Sequence, residues 1–360
     1  MIFNLFKMII QPKKSIERLE RYIPPLEGRR GMLRLDFNEN TVGPSPRVLE
    51  ALRNVSLETI STYPEYSKFY ERLSEHLNIK ETQLFVTNAS DEAIKLIMDT
   101  YIEKGDEIVL PVPTFPMFKI YANAVSARIT NVMYHSDLSF PAKEVINSIS
   151  NKTRIVVIVN PNNPTGTPVK KDDIIRIIKK AQNSLIMLDE AYSQFSKDSC
   201  LGLIKKFDNL AIIQTFSKAF GLAGMRIGYI VSNEQNIKNI RRSASPYSVN
   251  SLAMLSAETA LDDKEYIEWY VSEVEKSKKM LYDELKGLNI KTYPSSANFV
   301  LAYFGERSKD IQNMLKEYAI LVRDRSSEPL LDGCIRISIG TVKQTKRLII
   351  HLKKCLNNKL

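Results

Sequence analysis

A chain of 360 residues can bury a large core and divides most naturally into two domains. Hydrophobic residues make up 44% and charged residues 26%, which excludes a disordered or fibrous chain. The net charge of +10, from 51 Lys+Arg against 41 Asp+Glu, is spread along the chain. No basic block with interleaved aromatics points to nucleic acid, so the surplus reads as solvated surface or as attraction for a small anion.

Cys200, Cys334 and Cys355 have no metal-type spacing and fit unpaired thiols in a reducing compartment. His76, His135 and His351 fall in no motif and read as structural or surface residues. Met1 to Ile10 is apolar but interrupted by Lys7, lacks a following cleavage site and is too short to cross a bilayer. A cytoplasmic protein with no membrane partner is expected.

From Pro12 to Arg34 the sequence is mixed, and Pro24-Pro25 prevents a long helix. Leu35 to Pro46, with a glycine and two prolines at its end, is a loop; Arg47 to Arg53 is helical. After Tyr63-Pro64 an amphipathic helix runs to about Leu77. Thr82 to Val86 reads as a strand feeding a helix that ends near Ile102, with Asn88 or Ser90 as its N-cap. A strand that enters a helix through small residues offers free backbone N–H groups to an anion. Glu107 to Leu110 is the next strand, followed by Thr114-Phe115-Pro116.

Arg154 to Val159 is nearly all β-branched, as in a parallel strand buried on both faces. It ends in Asn160-Pro161-Asn162-Asn163-Pro164-Thr165-Gly166. A helix over Asp172 to Gln182 leads to a strand from Ser184 to Leu188 and then Asp189-Glu190-Ala191-Tyr192. Leu210 to Ile213 and Ile227 to Val231 are strands that flank Ser217, Lys218, three glycines and Arg226. Strands alternating with helices from 82 to 232 predict a mostly parallel sheet with helices on both faces. Beyond it come a basic helix from Asn236 to Ser243 and a long charged helix from about Asp262 to Lys286. Strands near Asn298 to Ala302, Ile320 to Val322 and Cys334 to Ile339 then alternate with helices around Asp310 to Tyr318 and Lys343 to Cys355, a smaller α+β unit.

Four strand ends therefore carry polar groups: Ser90-Asp91, Asn163, Asp189 with Tyr192, and Ser217-Lys218 with Arg226. In a parallel sheet such ends converge on one crevice. One ligand accounts for the whole set. A pyridinium nitrogen wants the Asp189 carboxylate, and a phenolate oxygen wants donors from Tyr192 and Asn163. A phosphate wants a helix N-terminus, a hydroxyl and the planar fork of Arg226, and an aldehyde wants Lys218. That ligand is pyridoxal 5′-phosphate.

The motifs Asn-Pro-Asn-Asn-Pro-Thr-Gly, Asp-Glu-Ala-Tyr and Ser-Lys-Ala-Phe-Gly-Leu-Ala-Gly-Met-Arg-Ile-Gly resemble those of fold-type I aminotransferases, nearest the histidinol-phosphate branch. Asn38-Glu39-Asn40, Ser295 to Phe299, Val322-Arg323-Asp324-Arg325 and Arg336 to Thr341 extend the resemblance from about Pro12 to the end. It implies a large cofactor-binding domain over 46–250, a small domain over 251–360, and an arm over 1–45 that contributes to the small domain. Lys218 would link to the cofactor and shuttle the proton, and Asp189 would keep its ring nitrogen protonated. Tyr192 and Asn163 would hold the ring oxygen, and Phe115 would stack on the ring. Ser217, Arg226, Ser90 and Asp91 would hold the phosphate, joined by Tyr63 from the second subunit of a homodimer. Arg336, with Asn38 nearby, would grip a substrate carboxylate, and Arg323 a distal phosphate. The implied reaction moves an amino group between a phosphorylated amine or amino acid and 2-oxoglutarate. Decarboxylation of an O-phospho-amino acid and broad amino-acid transamination use the same residues. The sequence departs from the family at Thr87-Asn88-Ala89, where Gly-Asn-Gly is usual, at Thr41-Val42, and at Ser248.

Overall fold

The computed structural model describes residues 10–357 apart from 20, 22, 26 and 197, so the opening run Met1 to Ile10 lies outside the described residues except for Ile10. The stretch through Pro24-Pro25 holds a one-turn helix, α1 (Lys14–Glu17), before β1 (Leu33–Arg34). Ser45 caps α2 (Pro46–Arg53) and Ser56 caps α3 (Leu57–Ser61), each accepting a backbone N–H. α4 (Ser67–Leu77) ends at Asn78 in the left-handed conformation.

The large sheet is then laid down as β2 (Leu84–Thr87), α5 (Ala89–Tyr101), β3 (Glu107–Val112), α6 (Met117–Ala124), β4 (Arg128–Met133), α7 (Ala142–Ser148), β5 (Thr153–Val159), α8 (Lys171–Lys180), β6 (Leu185–Asp189), β7 (Leu210–Thr215), β8 (Gly228–Ser232) and α9 (Glu234–Ser243). Its order is β2-β8-β7-β6-β5-β3-β4. Only β8 runs antiparallel to its neighbours, because a short loop rather than a crossover helix joins it to β7. The continuous apolar runs of β5, β6 and β7 follow from burial on both faces. Val156, Ile158, Ile186, Leu188 and Ile212 face one side with α4 and α8. Ile155, Val157, Met187 and Ile213, at the alternate positions, face the other with α5 and α9.

The expected helix from about Asp262 to Lys286 is present, and a separate helix precedes it. α10 (Ser251–Asp262) packs with the core of the large sheet, while α11 (Lys264–Gly287) starts afresh at Asp263, whose side chain accepts from Tyr266 N. β9 (Thr292–Tyr293), β10 (Phe299–Tyr303), α12 (Ser308–Glu317), β11 (Ile320–Leu321), β12 (Arg323–Asp324), β13 (Cys334–Ser338) and α13 (Val342–Asn357) follow. The expected strand near Ile320 to Val322 is β11, and a second short strand follows it. β11 pairs in parallel with β1, and β12 joins the antiparallel sheet β12-β13-β10-β9. The N-terminal strand thus belongs to the C-terminal unit. Among the described residues no helix is long and apolar enough to cross a membrane.

Candidate active site

β2, β5, β6 and β7 all run the same way, so their C-terminal ends share one edge, and β8 enters from that edge. The crevice there is a cavity of about 470 Å³ closed on its far side by Phe37, Asn38 and the arginines of β13 and the loop after β12. It brings together Ser90, Asp91, Phe115, Asn163, Asp189, Tyr192, Ser217, Lys218, Arg226, Asn38 and Arg336 from chain positions nearly 300 residues apart.

Asp189 is the last residue of β6 and lies 4% exposed on the cavity floor. Burial pushes its carboxyl up to about 7; the Ala191 N–H, 2.9 Å from Oδ1, and the Lys218 ammonium work against that. A carboxylate so poorly solvated is best satisfied by a cation brought into the cavity. Behind it Glu190 accepts from Cys200 N, Ser199 Oγ and Gln214 Nε2 at 2.7, 2.8 and 2.8 Å, and Tyr229 donates to Gln214. This buried chain of bonds ties β6 to β7 and β8 beneath the site.

Lys218 Nζ donates to Phe37 O at 3.1 Å and stands 5.6 Å from the centre of the Tyr192 ring. Tyr192 packs edge-on against Phe299 and accepts from Asn38 Nδ2 at 3.0 Å, which leaves its own hydroxyl hydrogen available. Asn38 is locked in turn by Ser338 Oγ, which donates to Oδ1 at 2.9 Å. Asn163 Oδ1 accepts from Arg336 Nη1, so its amide nitrogen is left to donate elsewhere. Arg336 Nη2 donates to Asp36 O.

The anion cup lies at the start of α5. Asn88 takes the N-cap position without a side-chain capping bond, so the first-turn N–H groups stay open to a ligand. Ala89 adopts φ 63°, the left-handed conformation expected to trouble alanine there. The β8 backbone passes close by: a Cβ at Gly228 would lie 3.0 Å from Ser90 N and 2.8 Å from Gln214 O. Across the opening Arg226 donates to Asp91 Oδ2 at 2.9 Å, and Ser217 is held by the Thr215 hydroxyl, which accepts its N–H at 3.1 Å.

This donor set fits pyridoxal 5′-phosphate. A buried carboxylate faces the place of a ring cation, an amide and a phenol offer hydrogens to a ring oxygen, a helix N-terminus with Ser217 and Arg226 suits a phosphate, and a lysine amine lies between. Phe115, half-buried edge-on to Phe118, lines the wall where an aromatic would cover the ring.

Two expected residues stand outside. Tyr63 is 75% exposed and stacks on Tyr247 at 4.5 Å between ring centres, away from this cavity. Arg323 is not part of the cavity wall; Arg325, two residues on, is. Arg29 also lines the cavity, held by Asp36 and Glu39 and lying over the Phe37 ring. Nothing in the mixed segment before Leu35 distinguished Arg29, and Arg325 was visible only as the second arginine of Val-Arg-Asp-Arg. The three cysteines are buried and free, and neither they nor the histidines line the cavity.

The family model described as aminotransferase class I and II matches residues 30–352. The histidinol-phosphate aminotransferase of Methanocaldococcus jannaschii is 34% identical, over 96% of this chain and 94% of its own. The solved histidinol-phosphate aminotransferase from Clostridium acetobutylicum superposes with a TM-score of 0.85 at 25% identity, covering 91% of this chain and all of the other. That from Sinorhizobium meliloti, solved in complex with pyridoxal-5′-phosphate, gives 0.88 at 22% identity over 97% and 98% of the two chains, a likeness of fold. The chain belongs to the class I and II aminotransferases, enzymes that work with pyridoxal 5′-phosphate.

Proposed function

We propose that this aminotransferase moves an amino group between a phosphorylated amine of the histidinol-phosphate kind and 2-oxoglutarate. The observation that carries the reading is the contact between Arg336 and Asn163, which sets an anion-gripping arginine directly against the group that would hold the cofactor ring. The names of the relatives support the substrate class. When bound, pyridoxal 5′-phosphate supplies an electron-accepting ring that stabilises negative charge at the substrate carbon. The chain's residues do the rest. Lys218 would hold the cofactor through its amine and would move a proton at the substrate Cα. Asp189 holds a proton at the ring nitrogen. Asn163 and Tyr192 hold the ring oxygen, with Tyr192 oriented by Asn38. Ser217, Arg226 and the Ser90-Asp91 turn fix the phosphate, Phe115 covers the ring, and Arg336 takes the α-carboxylate of glutamate.

A homodimer completes this reading. Leu57, Ile60 and Tyr63, in and just after α3, are 82%, 66% and 75% exposed, and Tyr63 stacks on the exposed Tyr247 ring, apolar side chains that a second subunit would cover. Tyr63 would reach the cofactor phosphate of the neighbouring subunit.

The test is to follow the two half-reactions separately in the holoenzyme, glutamate formation from 2-oxoglutarate on one side and consumption of histidinol phosphate on the other. Borohydride reduction and peptide mapping should find the cofactor on Lys218. Release of carbon dioxide from an O-phospho-amino acid without glutamate formation, or trapping on another lysine, would refute the proposal.

A further inference from the structure

The segment Asp36 to Glu39 follows β1 and gives Phe37, Asn38 and Glu39 to the cavity wall. Its peptide units are anchored one after another, with one exception. Leu35 O accepts from Ser338 N at 2.9 Å, which fixes the unit before Asp36. Asn38 N donates to Ser338 Oγ at 2.9 Å. Because a peptide is planar, that bond also fixes the Phe37 carbonyl, which accepts from Lys218 Nζ. Asn38 O accepts from Asn298 Nδ2 at 3.0 Å. The exception is the unit between Asp36 and Phe37. Its carbonyl accepts from Arg336 Nη2, and Phe37 N donates to no protein group among the described residues.

Arg29, from the arm before β1, grips the side chains on both sides of that unit. Its guanidinium bonds both carboxylate oxygens of Asp36, Nε to Oδ2 at 3.1 Å and Nη2 to Oδ1 at 2.7 Å, and reaches Glu39 Oε2 at 2.8 Å. Its Cζ lies 3.9 Å from the centre of the Phe37 ring. A planar fork can bond a carboxylate through one edge while its face covers an aromatic ring; an ammonium cannot do both. The Arg29 side chain is 10% exposed and that of Asp36 4%, so little water competes for these bonds. Glu39 also has Arg34 Nε at 3.6 Å, whereas the bonds that the Asp36 carboxylate accepts come from Arg29.

We infer that Arg29 is a positioning residue for Arg336: by fixing the Asp36–Phe37 peptide, it sets the carbonyl against which the Arg336 guanidinium is aligned for a substrate carboxylate. The inference rests on the proposed function for what Arg336 binds; the clamp on the peptide does not. The experiment uses the holoenzyme of wild type, Arg29→Lys and the double variant Arg29→Gln/Asp36→Asn. The lysine keeps a positive charge beside Asp36 without the fork or the flat face, and the double variant leaves no buried carboxylate stranded. kcat and KM are measured in the half-reaction with glutamate, and crystal structures of wild type and Arg29→Lys are compared.

Both variants should raise KM for glutamate roughly tenfold and keep kcat within about threefold. Arg336 retains its bond to Asn163, and Lys218 retains a carbonyl that Ser338 fixes, so binding suffers and proton transfer does not. In the Arg29→Lys crystal the Asp36–Phe37 peptide should be turned and the bond from Arg336 to Asp36 O lost. A wild-type KM in either variant would overturn the inference, since charge alone, or no side-chain clamp at all, would then suffice. A kcat that falls as far as KM rises would overturn it too, because Arg29 would then support the site as a whole. So would an Asp36 carbonyl unmoved in Arg29→Lys. If wild type does not act on glutamate, the proposed function fails and the crystal structures decide alone: a turned peptide supports the clamp, and an unmoved one overturns it.

Discussion

Asn163 accepts a hydrogen bond from Arg336 and so joins the loop after β5 to strand β13 across the mouth of the cavity. The bond couples two tasks. An arginine has only donors, so it fixes the Asn163 oxygen toward itself and leaves the amide nitrogen to donate to a bound ligand, as the proposed contact with the cofactor's ring oxygen would need. The asparagine in turn holds the guanidinium where a carboxylate can meet it.

Removing Asn163 should therefore damage both substrate and cofactor binding. Asn163→Ala is expected to raise KM for glutamate by roughly tenfold, since the guanidinium loses its orientation, and to shift the absorbance of the bound cofactor, since the ring oxygen loses a donor. Single-turnover kinetics and a spectrum of the variant check both effects. A changed spectrum with an unchanged KM would mean that the contact does not orient Arg336.

Asp189 gives a prediction about pH. Its carboxyl titrates near 7 in the folded, cofactor-free protein, well above the ordinary aspartate value. The folded state therefore disfavours the ionised form. Stability contributed by the neutral form is fully present below about pH 4 and is lost as pH rises toward 7, by as much as a few kcal/mol. Asp189→Asn removes this dependence. The cofactor-free variant should be more stable than wild type at pH 8 and similar at pH 4, as read from urea midpoints. It should retain the cofactor but lose at least a hundredfold or so in kcat, because an amide cannot keep the ring nitrogen protonated. Activity within about tenfold of wild type would exclude that role.

Gly228 should tolerate no side chain. Its place beside Ser90 N and Gln214 O would drive a methyl group against the backbone at the start of α5 on one side and that of β7 on the other. Gly228→Ala should cost about 1–3 kcal/mol of stability and loosen the cofactor phosphate, seen as a higher dissociation constant for pyridoxal 5′-phosphate. Loss of stability with unaltered cofactor affinity would show that the cup is held independently of β8.

What could be read from sequence follows how each element earns its place. The central strands were legible because burial on both faces demands an unbroken apolar run, as in Ile155 to Val159. The edge strand β4, with only Val132 fully buried, mixes Arg128, Thr130 and Asn131 and carries no such signal, so it and its flanking helices α6 and α7 went unread. Polar groups at strand ends gave the cofactor side of the site, because the parallel sheet converts sequence order into proximity. The substrate side depends on which of two arginines two residues apart reaches the cavity. The bend after β12 decides that, and it is not visible in residue types. Asn38 was read only as lying near a carboxylate; its grip on Tyr192 needs the left-handed backbone at φ 57°.

The last prediction concerns the second subunit. Tyr63 lies outside the cavity of its own chain, so any part it plays in cofactor binding has to be played in a neighbour's site. A variant lacking Lys218 and a variant lacking Tyr63 would then be defective in different halves of a shared site. Alone, Lys218→Ala should be inactive, and Tyr63→Ala should bind the cofactor more weakly and turn over slowly. In a mixed dimer one site combines Lys218 from the Tyr63→Ala chain with Tyr63 from the Lys218→Ala chain and is intact, while the other lacks both. Unfolding the two variants together and refolding them at equal concentration gives half mixed dimers, so about a quarter of all sites should be restored. At cofactor concentrations too low to saturate Tyr63→Ala, activity should rise toward that fraction of wild type. Activity that stays at the average of the two separate variants, with dimers formed, would place Tyr63 outside the neighbouring site. A monomer at micromolar concentration with full activity would exclude the shared site altogether.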